Sequence, residues 1–179
     1  MQRNGGRLQT VAEFRSDRQI EREADLFAAH FLAPTVLFNQ LSENSEFNKS
    51  SLKKIAGELN ISLMNTSFRY VSLTDLVCSL IISNNSNSKV RFEFRSKRFR
   101  ELGYVPLLSS TPVPEDSMSF AVISGAEADP DDETVLLNTW YPDLRKKIRC
   151  NESVFQLGYN DTTVTLLSLI DDPEDLDED

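Results

Sequence analysis

The run Val90-Arg91-Phe92-Glu93-Phe94-Arg95 decides the fold class, because the spacing of apolar residues changes where it begins. Apolar and charged residues alternate along it, and this period of two is typical of a β-strand with one buried face. The polar run from Ser83 to Ser88 comes just before it and predicts a hinge between two domains. Basic residues interleaved with Phe are also a pattern for binding single-stranded nucleic acid. The simpler interpretation is one strand with a solvent-exposed face and a buried face.

Downstream of this run, short apolar segments separated by turn residues predict further strands. The predicted strands span residues 118–123, 134–137, 154–157 and 162–170, with a hairpin turn at 158–161. Four or five strands with little helix indicate a small α/β domain with a mainly antiparallel sheet.

Upstream of the hinge, the spacing of apolar residues is helical. Leu52, Ile55, Ala56 and Leu59 share one helix face, and a turn at residues 60–62 leads into a second helix, so that the pair is predicted to extend to about residue 82. The pair resembles a helix-turn-helix, which would bind DNA through its second helix. That helix offers few of the phosphate-neutralising cations on which DNA affinity largely depends. A structural spacer is therefore the preferred interpretation. The side chains available to read DNA are Asn65, Thr66, Ser67 and Arg69.

Closer to the N-terminus, the stretch from Ile20 to Pro34 predicts one amphipathic helix that Pro34 ends. Glu21 and Asp25 lie one turn apart beside its apolar stripe. Two interpretations of this acidic pair stay open. The carboxylates form the solvated edge of a core helix, or Glu21 is a metal ligand and Asp25 orients another ligand.

This helix resembles the third-ligand helix of the ImmA/IrrE family of zinc metallopeptidases. The matching residues are Glu21, Ala24, Asp25, Phe27, Ala28, Leu32 and Pro34, while Phe31 stands where the family usually has Leu. The resemblance implies that Glu21 is a zinc ligand and that the intact protein cleaves a transcriptional repressor, in phage, mobile-element or stress control. A weaker resemblance covers residues 140–169. In some members of the family this C-terminal domain is similar to GAF-type sensory folds.

The chain departs from the family in one respect that decides its expected activity. The family places a His-Glu-x-x-His motif on the preceding helix, and this chain has a single histidine, His30. His30 lies nine residues after Glu21 and points to the opposite side of the helix, so it cannot replace the motif. We therefore expect a peptidase-family protein truncated at its N-terminus, inactive alone and binding zinc weakly or not at all. The alternatives are a non-catalytic regulatory or sensory binding module and a DNA-binding regulator.

Composition excludes several other classes. The chain has 179 residues and a net charge of −9, of which −7 lies in residues 171–179, and this acidic tail is predicted to be disordered. There is no apolar run near 18 residues, so no transmembrane helix is expected, and residues 1–17 lack an apolar region, so no signal peptide is expected. Cys78 and Cys150 match no zinc spacing. Buried free thiols in the cytoplasm are expected. One histidine and two remote cysteines make no catalytic triad.

Together these patterns predict an α+β protein with a helical N-terminal part and a small C-terminal α/β domain. The predicted units are a peptidase remnant at 1–41, a helix-turn-helix-like segment at 42–82, a C-terminal domain at 83–170 and the tail at 171–179.

Overall fold

A five-stranded antiparallel sheet forms the centre of the molecule, and helices precede it in the chain. The computed structural model describes residues 34–126, 132–158 and 161–171. It confirms the predicted α+β class and the mainly antiparallel sheet. The strands are β1 (Cys78–Asn84), β2 (Lys89–Arg95), β3 (Glu133–Leu136), β4 (Arg149–Leu157) and β5 (Thr162–Leu169). They lie side by side in the order β2-β1-β5-β4-β3, so that β2 and β3 are the edges.

Three helices cover one face of the sheet. They are α1 (Thr35–Ser42), α2 (Lys49–Leu59) and α3 (Leu63–Leu73). Asn48 starts α2 by accepting a hydrogen bond from the Ser51 N–H, 2.8 Å away, and Ser62 starts α3 in the same way. Between them Asn60 adopts a left-handed conformation (φ 51°), which ends α2 and makes the tight turn. The predicted helix pair is therefore confirmed as far as Leu73.

The prediction of helix as far as residue 82 is wrong, because residues 78–84 form β1. Six consecutive residues of this strand are buried, since it lies between two neighbouring strands and both faces of the sheet are covered. A short apolar run of this kind has no alternation, and its spacing cannot distinguish a buried strand from a buried helix. Residues 85–88 then form the turn of the β1–β2 hairpin. The polar run predicted as a hinge thus lies within one antiparallel pair of strands.

Short helices and loops cover the opposite face of the sheet. The helices are α4 (Lys97–Glu101) and α5 (Met118–Ile123), and a 3-10 turn, Leu137–Thr139, follows β3. The prediction of a strand at 118–123 is therefore wrong. Ser117 accepts a hydrogen bond from the Phe120 N–H at 3.1 Å and starts a helix there. The strands predicted at 90–95, 134–137, 154–157 and 162–170 are confirmed, and β4 begins five residues earlier than expected.

The two faces of the sheet bury separate cores, which we call the helix-covered face and the loop-covered face. Adjacent residues of one strand point to opposite faces, so Leu166 belongs to the first core and Leu167 to the second, and both are fully buried. The helical layer also bonds directly to the sheet, because the Lys49 N–H donates to Ser153 Oγ at 3.0 Å. Helices and strands therefore share one packed body.

The two edges of the sheet differ. Beside β2, residues 110–113 run along the outer edge, and Val90 exchanges two backbone hydrogen bonds of 2.8 Å with Ser110 and Thr111. At the other edge, β3 is only four residues long. Among the residues that the structure describes, no helix is long and apolar enough to cross a membrane.

Candidate functional site

The residues that sequence analysis proposed as a zinc site are Glu21 and Asp25, and both lie outside the described residues, as does His30. Within the described ranges, no group of three or more His, Cys, Asp or Glu side chains is placed to hold a metal ion. The geometry available for a functional site is that of the sheet and its two covering layers.

The loop-covered face contains a buried ion pair between Glu93 and Arg95 of β2. The Arg95 Nε donates to Glu93 Oε1 at 2.6 Å, and the side chains are only 2% (Glu93) and 7% (Arg95) exposed. The same carboxylate oxygen accepts from Ser79 Oγ at 2.8 Å and from the hydroxyl of Tyr141. Burial of a charge is tolerated when it is paired and hydrogen-bonded, and here both conditions hold.

This pair also holds the loop that follows α4. The two terminal nitrogens of Arg95 donate to the carbonyl oxygens of Tyr104 and Val105, at 2.7 and 2.8 Å. Glu93 Oε2 accepts from the Leu107 N–H at 2.9 Å. Three backbone groups of residues 104–107 are thus bonded to one ion pair on the sheet. We call residues 104–107 the tethered loop.

Aromatic rings close the ion pair off from solvent. The Arg95 guanidinium lies 4.9 Å from the centroid of the Phe99 ring and 5.2 Å from that of Tyr141, within range for cation–π attraction. Burial, together with the nearby Glu93 carboxylate, raises the pKa of Tyr141 well above its ordinary value. Tyr141 therefore keeps its proton and serves as a hydrogen-bond donor.

A second carboxylate, Glu152 of β4, is fully buried on the same face. It accepts hydrogen bonds from the backbone N–H groups of Met118 (3.3 Å) and Ser119 (3.1 Å), at the start of α5. The hydroxyl of Ser119 donates to it at 2.7 Å and lies 2.5 Å from the hydroxyl of Thr165. No Lys or Arg among the described residues forms an ion pair with Glu152.

The environment of Glu152 has opposing effects on its charge. Burial raises the pKa of the carboxyl group, and the hydrogen bonds from Ser119 and Met118 lower it, with a net rise. A buried carboxylic acid with a raised pKa and no cation partner is a common feature of functional sites, although structural networks produce it as well. In this chain its donors fix α5 against β4.

Both clusters fix neighbouring backbone segments in place. The described bonds to Glu93 and Glu152 all come from the protein itself, and both side chains are closed off from solvent. The arrangement fixes the loop-covered layer at two points, the tethered loop and the start of α5.

Other chemistry-bearing residues are also enclosed. Cys78 and Cys150 are free, fully buried thiols, as predicted, and burial raises the pKa of each to about 12. Nucleophilic cysteines require a lowered pKa and access, so neither thiol fits that role.

The second helix of the helix-turn-helix-like pair presents fewer polar side chains than its sequence suggested. Thr66 and Ser67 are fully buried and donate to the backbone oxygens of Ser62 and Leu63. Arg69 bonds to Thr35 Oγ1 at 2.8 Å. Of the four candidate DNA-reading residues, Asn65 is exposed, Arg69 is half-buried and the other two are buried.

A cleft of about 360 Å³ lies between α1 and α2 in the helical layer. Glu46, Lys54 and Glu58 line it beside the apolar side chains of Leu41 and Ile55. It is on the far side of the sheet from both carboxylate clusters. Its mixed charges offer no convergent set of ligands.

Sequence analysis missed the role of Glu93 and Arg95, because the alternation in β2 placed them on the solvent-exposed face of the strand. The prediction is wrong on that point, since this face is covered, while Phe92 on the other face is 43% exposed. The available signal was the Glu-x-Arg spacing, which puts opposite charges on the same face of one strand. Glu152 carried no comparable signal.

Comparisons with known proteins do not add a family to this geometry. No model of a protein family matches the chain, and a search of curated proteins found no match.

Proposed function

We propose that residues 34–171 are a non-catalytic regulatory module, which binds a ligand or partner protein through the loop-covered face. The observation that carries the proposal is the attachment of the tethered loop. Three of its backbone groups are hydrogen-bonded to the side chains of one ion pair, Glu93–Arg95. A segment held by a few bonds to one buried group can adopt a second arrangement when a ligand competes for those bonds. Binding of the ligand would thereby change the conformation of the loops that cover the sheet.

The arrangement of the sheet supports a GAF-type interpretation. Five antiparallel strands in the order β2-β1-β5-β4-β3, with helices on one face and loops on the other, form the kind of α+β layer expected for such a sensory fold. The exposed side chains nearest the tethered loop are apolar. Val105 and Leu108 are 68% and 69% exposed, and exposed apolar side chains of this size are suited to contact with a partner.

A transcriptional repressor is the partner that the ImmA/IrrE resemblance implies. The test is to titrate the chain with a transcriptional repressor from the same genome and to measure the Kd by calorimetry. The variant Val105→Ser, Leu108→Ser should weaken binding about tenfold or more, because two exposed apolar side chains that a partner buries would together contribute at least about 1.4 kcal/mol. The matched control is Val36→Ser, Leu37→Ser on α1, whose side chains are also exposed.

An unchanged Kd in the loop variant, with weaker binding in the α1 variant, would move the binding surface to the helical layer. An equal Kd in all three proteins would leave the loop-covered face without a role in binding this partner. Hydrogen exchange at residues 104–107 supplies a second readout, since displacement of the tethered loop should increase exchange there when the repressor is added.

For residues 20–34 we propose the role that the resemblance implies for Glu21, the third zinc ligand, with Asp25 orienting another ligand. The proposal requires a His-Glu-x-x-His sequence in the reading frame before Met1. A protein expressed with that frame should bind one zinc ion and cleave the repressor, with zinc-activated water as the nucleophile. Glu21→Ala should remove the metal, and Glu23→Ala, two residues further on, should not. Zinc retained by the Glu21 variant would contradict this assignment.

The two buried free thiols support a cytoplasmic location, because thiols persist unpaired in reducing compartments.

A further inference from the structure

Positive charge is concentrated in one short part of this acidic chain. Residues 89–101 contain six Lys and Arg residues and two carboxylates, whereas the whole chain has a net charge of −9. Within this segment, Glu93 and Arg95 neutralise each other in the interior. The exposed remainder is a cationic edge, formed by Lys89, Arg91, Lys97, Arg98 and Arg100.

The cationic edge has little negative charge of its own. Glu101 is its exposed carboxylate, and it forms an i,i+4 pair with Lys97 at 3.8 Å, in which both side chains are more than half exposed. The Arg100 guanidinium donates to a neutral acceptor, the backbone oxygen of Arg95. The edge therefore attracts anions over the distance set by salt screening.

Aromatic rings do not accompany this charge, which argues against single-stranded nucleic acid as the ligand. Phe92 and Phe94 lie on the helix-covered face, where they contact the Phe68 ring at centroid distances of 6.0 and 5.4 Å. Phe99 is fully buried. Binding of single strands depends on exposed rings on which bases stack, and the one exposed ring of this segment, Phe92, is already stacked on Phe68 on the helix-covered face.

We propose that the cationic edge docks the acidic segment 172–179 of this same chain. Six of the eight residues in that segment are Asp or Glu, so its charge is complementary to that of the edge. The proposal is independent of the proposed function, since it concerns α4 and the end of β2 rather than the tethered loop.

The sheet brings the start of the acidic segment to the correct end of the molecule. Ser168 of β5 pairs with Cys78 of β1, and the Ser96 N–H, just before α4, donates to the Cys78 oxygen at 2.9 Å. Asp171 bonds to Arg149 of β4, so the segment begins about three strand spacings, about 15 Å, from the end of β2. Eight extended residues span up to about 26 Å. The segment that follows Asp171 is therefore long enough to reach α4.

Tethering makes this contact effective although its individual ion pairs are weak. Exposed pairs contribute little each, but a segment joined by a short linker acts at an effective concentration of about the millimolar range. Docking would shield the cationic edge from other polyanions, and it would be sensitive to salt.

The experiment uses the full chain with a spin label at Asp179→Cys, because the two native thiols are fully buried and resist labelling. Paramagnetic broadening of amide signals is measured in 10 mM and 1 M salt, where the screening lengths are about 30 and 3 Å. Amides of residues 97–101 should broaden more than those of α2 at low salt, and the difference should vanish at high salt.

Two charge-reversal variants complete the test. Lys97→Glu, Arg98→Glu should abolish the preferential broadening, and Lys53→Glu, Lys54→Glu, at exposed positions of α2, should leave it unchanged. Equal broadening of α2 and α4, or broadening that salt does not change, would overturn the proposal. Broadening seen only when a labelled chain is mixed with an isotopically labelled, spin-free chain would assign the contact to a second copy and would also overturn it.

Discussion

The two faces of the sheet are covered in different ways, although the same strands supply both. On the helix-covered face the sheet meets three helices whose buried residues are mostly apolar, and one of its few buried hydroxyls, that of Tyr70, donates to the Ser45 backbone oxygen. On the loop-covered face the covering layer is irregular, and both buried carboxylates of the sheet, Glu93 and Glu152, lie there. Helices satisfy their own backbone groups, whereas loops need partners.

This difference explains where the buried polar side chains are. Backbone groups of the tethered loop and of the start of α5 lose their hydrogen bonds to water when they are buried. Glu93, Arg95 and Glu152 supply the hydrogen bonds that replace them. The loop-covered face thus depends on a few specific bonds, and the helix-covered face on distributed packing. Four measurements test this contrast.

The largest effect is expected from Glu93→Ala. Removing one member of a buried ion pair leaves an uncompensated charge and costs about 3–5 kcal/mol. Urea unfolding measures the loss in the free energy of unfolding. Removing both partners together, by Glu93→Leu with Arg95→Met, should cost less than Glu93→Ala alone. The control is Glu101→Ala, which breaks an exposed pair and should leave the stability unchanged within error. A loss below about 1 kcal/mol for Glu93→Ala would show that the ion pair does not hold the loop-covered face together.

The next effect compares the apolar packing of the two faces at adjacent positions of β5. Leu166→Ala acts on the helix-covered face and Leu167→Ala on the loop-covered face, and both side chains are fully buried. Each should cost about 2–5 kcal/mol, because the loss combines transfer of the side chain with the cavity left behind. Urea unfolding of the two variants gives the comparison. A much smaller loss for Leu167→Ala would show that the loop-covered layer closes around the cavity and is packed less rigidly.

A smaller effect should depend on pH through Glu152. Its pKa is raised in the folded protein, so between the ordinary glutamate pKa and the raised value the folded state binds more protons than the unfolded chain. This carboxyl group therefore favours folding at low pH, and its contribution is lost as pH rises through the folded pKa. Each unit of difference between the two pKa values is equivalent to about 1.4 kcal/mol.

The measurement is the free energy of unfolding of the wild-type protein and of Glu152→Gln between pH 4.5 and pH 7.5. Wild-type stability relative to the variant should fall as pH increases. The reference to the variant is needed because it cancels the contributions of all other groups to the pH dependence. A wild-type advantage that grows with pH would mean that the ionised form of Glu152 is the favoured one.

The smallest effect is expected on the helical layer. Ser62→Ala removes the side chain that starts α3 and should cost about 1 kcal/mol. Asn48→Ala at the start of α2 is the matched case on the same face. Thermal unfolding followed by circular dichroism compares the two. A cost for either variant as large as that of Glu93→Ala would contradict the view that packing on this face is distributed.

The same contrast accounts for what the sequence predicted and what it did not. Helical spacing identified α2 and α3, and strand alternation identified β2, because each has one face that packs against a regular partner. The spacing was misleading for β1, which is buried on both faces, and for α5, which is a helix of only six residues. The candidate site was hidden for a related reason. Glu93 is read as solvent-exposed unless the segment folding over it is known, and the alternation within β2 carries no information about residues 104–107, which cover it.

The edges of the sheet have a consequence for behaviour at high protein concentration. Open strand edges recruit other chains into continuous sheets, and natural proteins limit this by covering an edge or by keeping it short. Here residues 110–113 occupy part of the outer side of β2, and β3 offers four residues that begin with the exposed Glu133. Neither edge is a long, flat template for fibril growth. We expect concentrated solutions to resist amyloid-type aggregation as long as residues 110–113 stay in place.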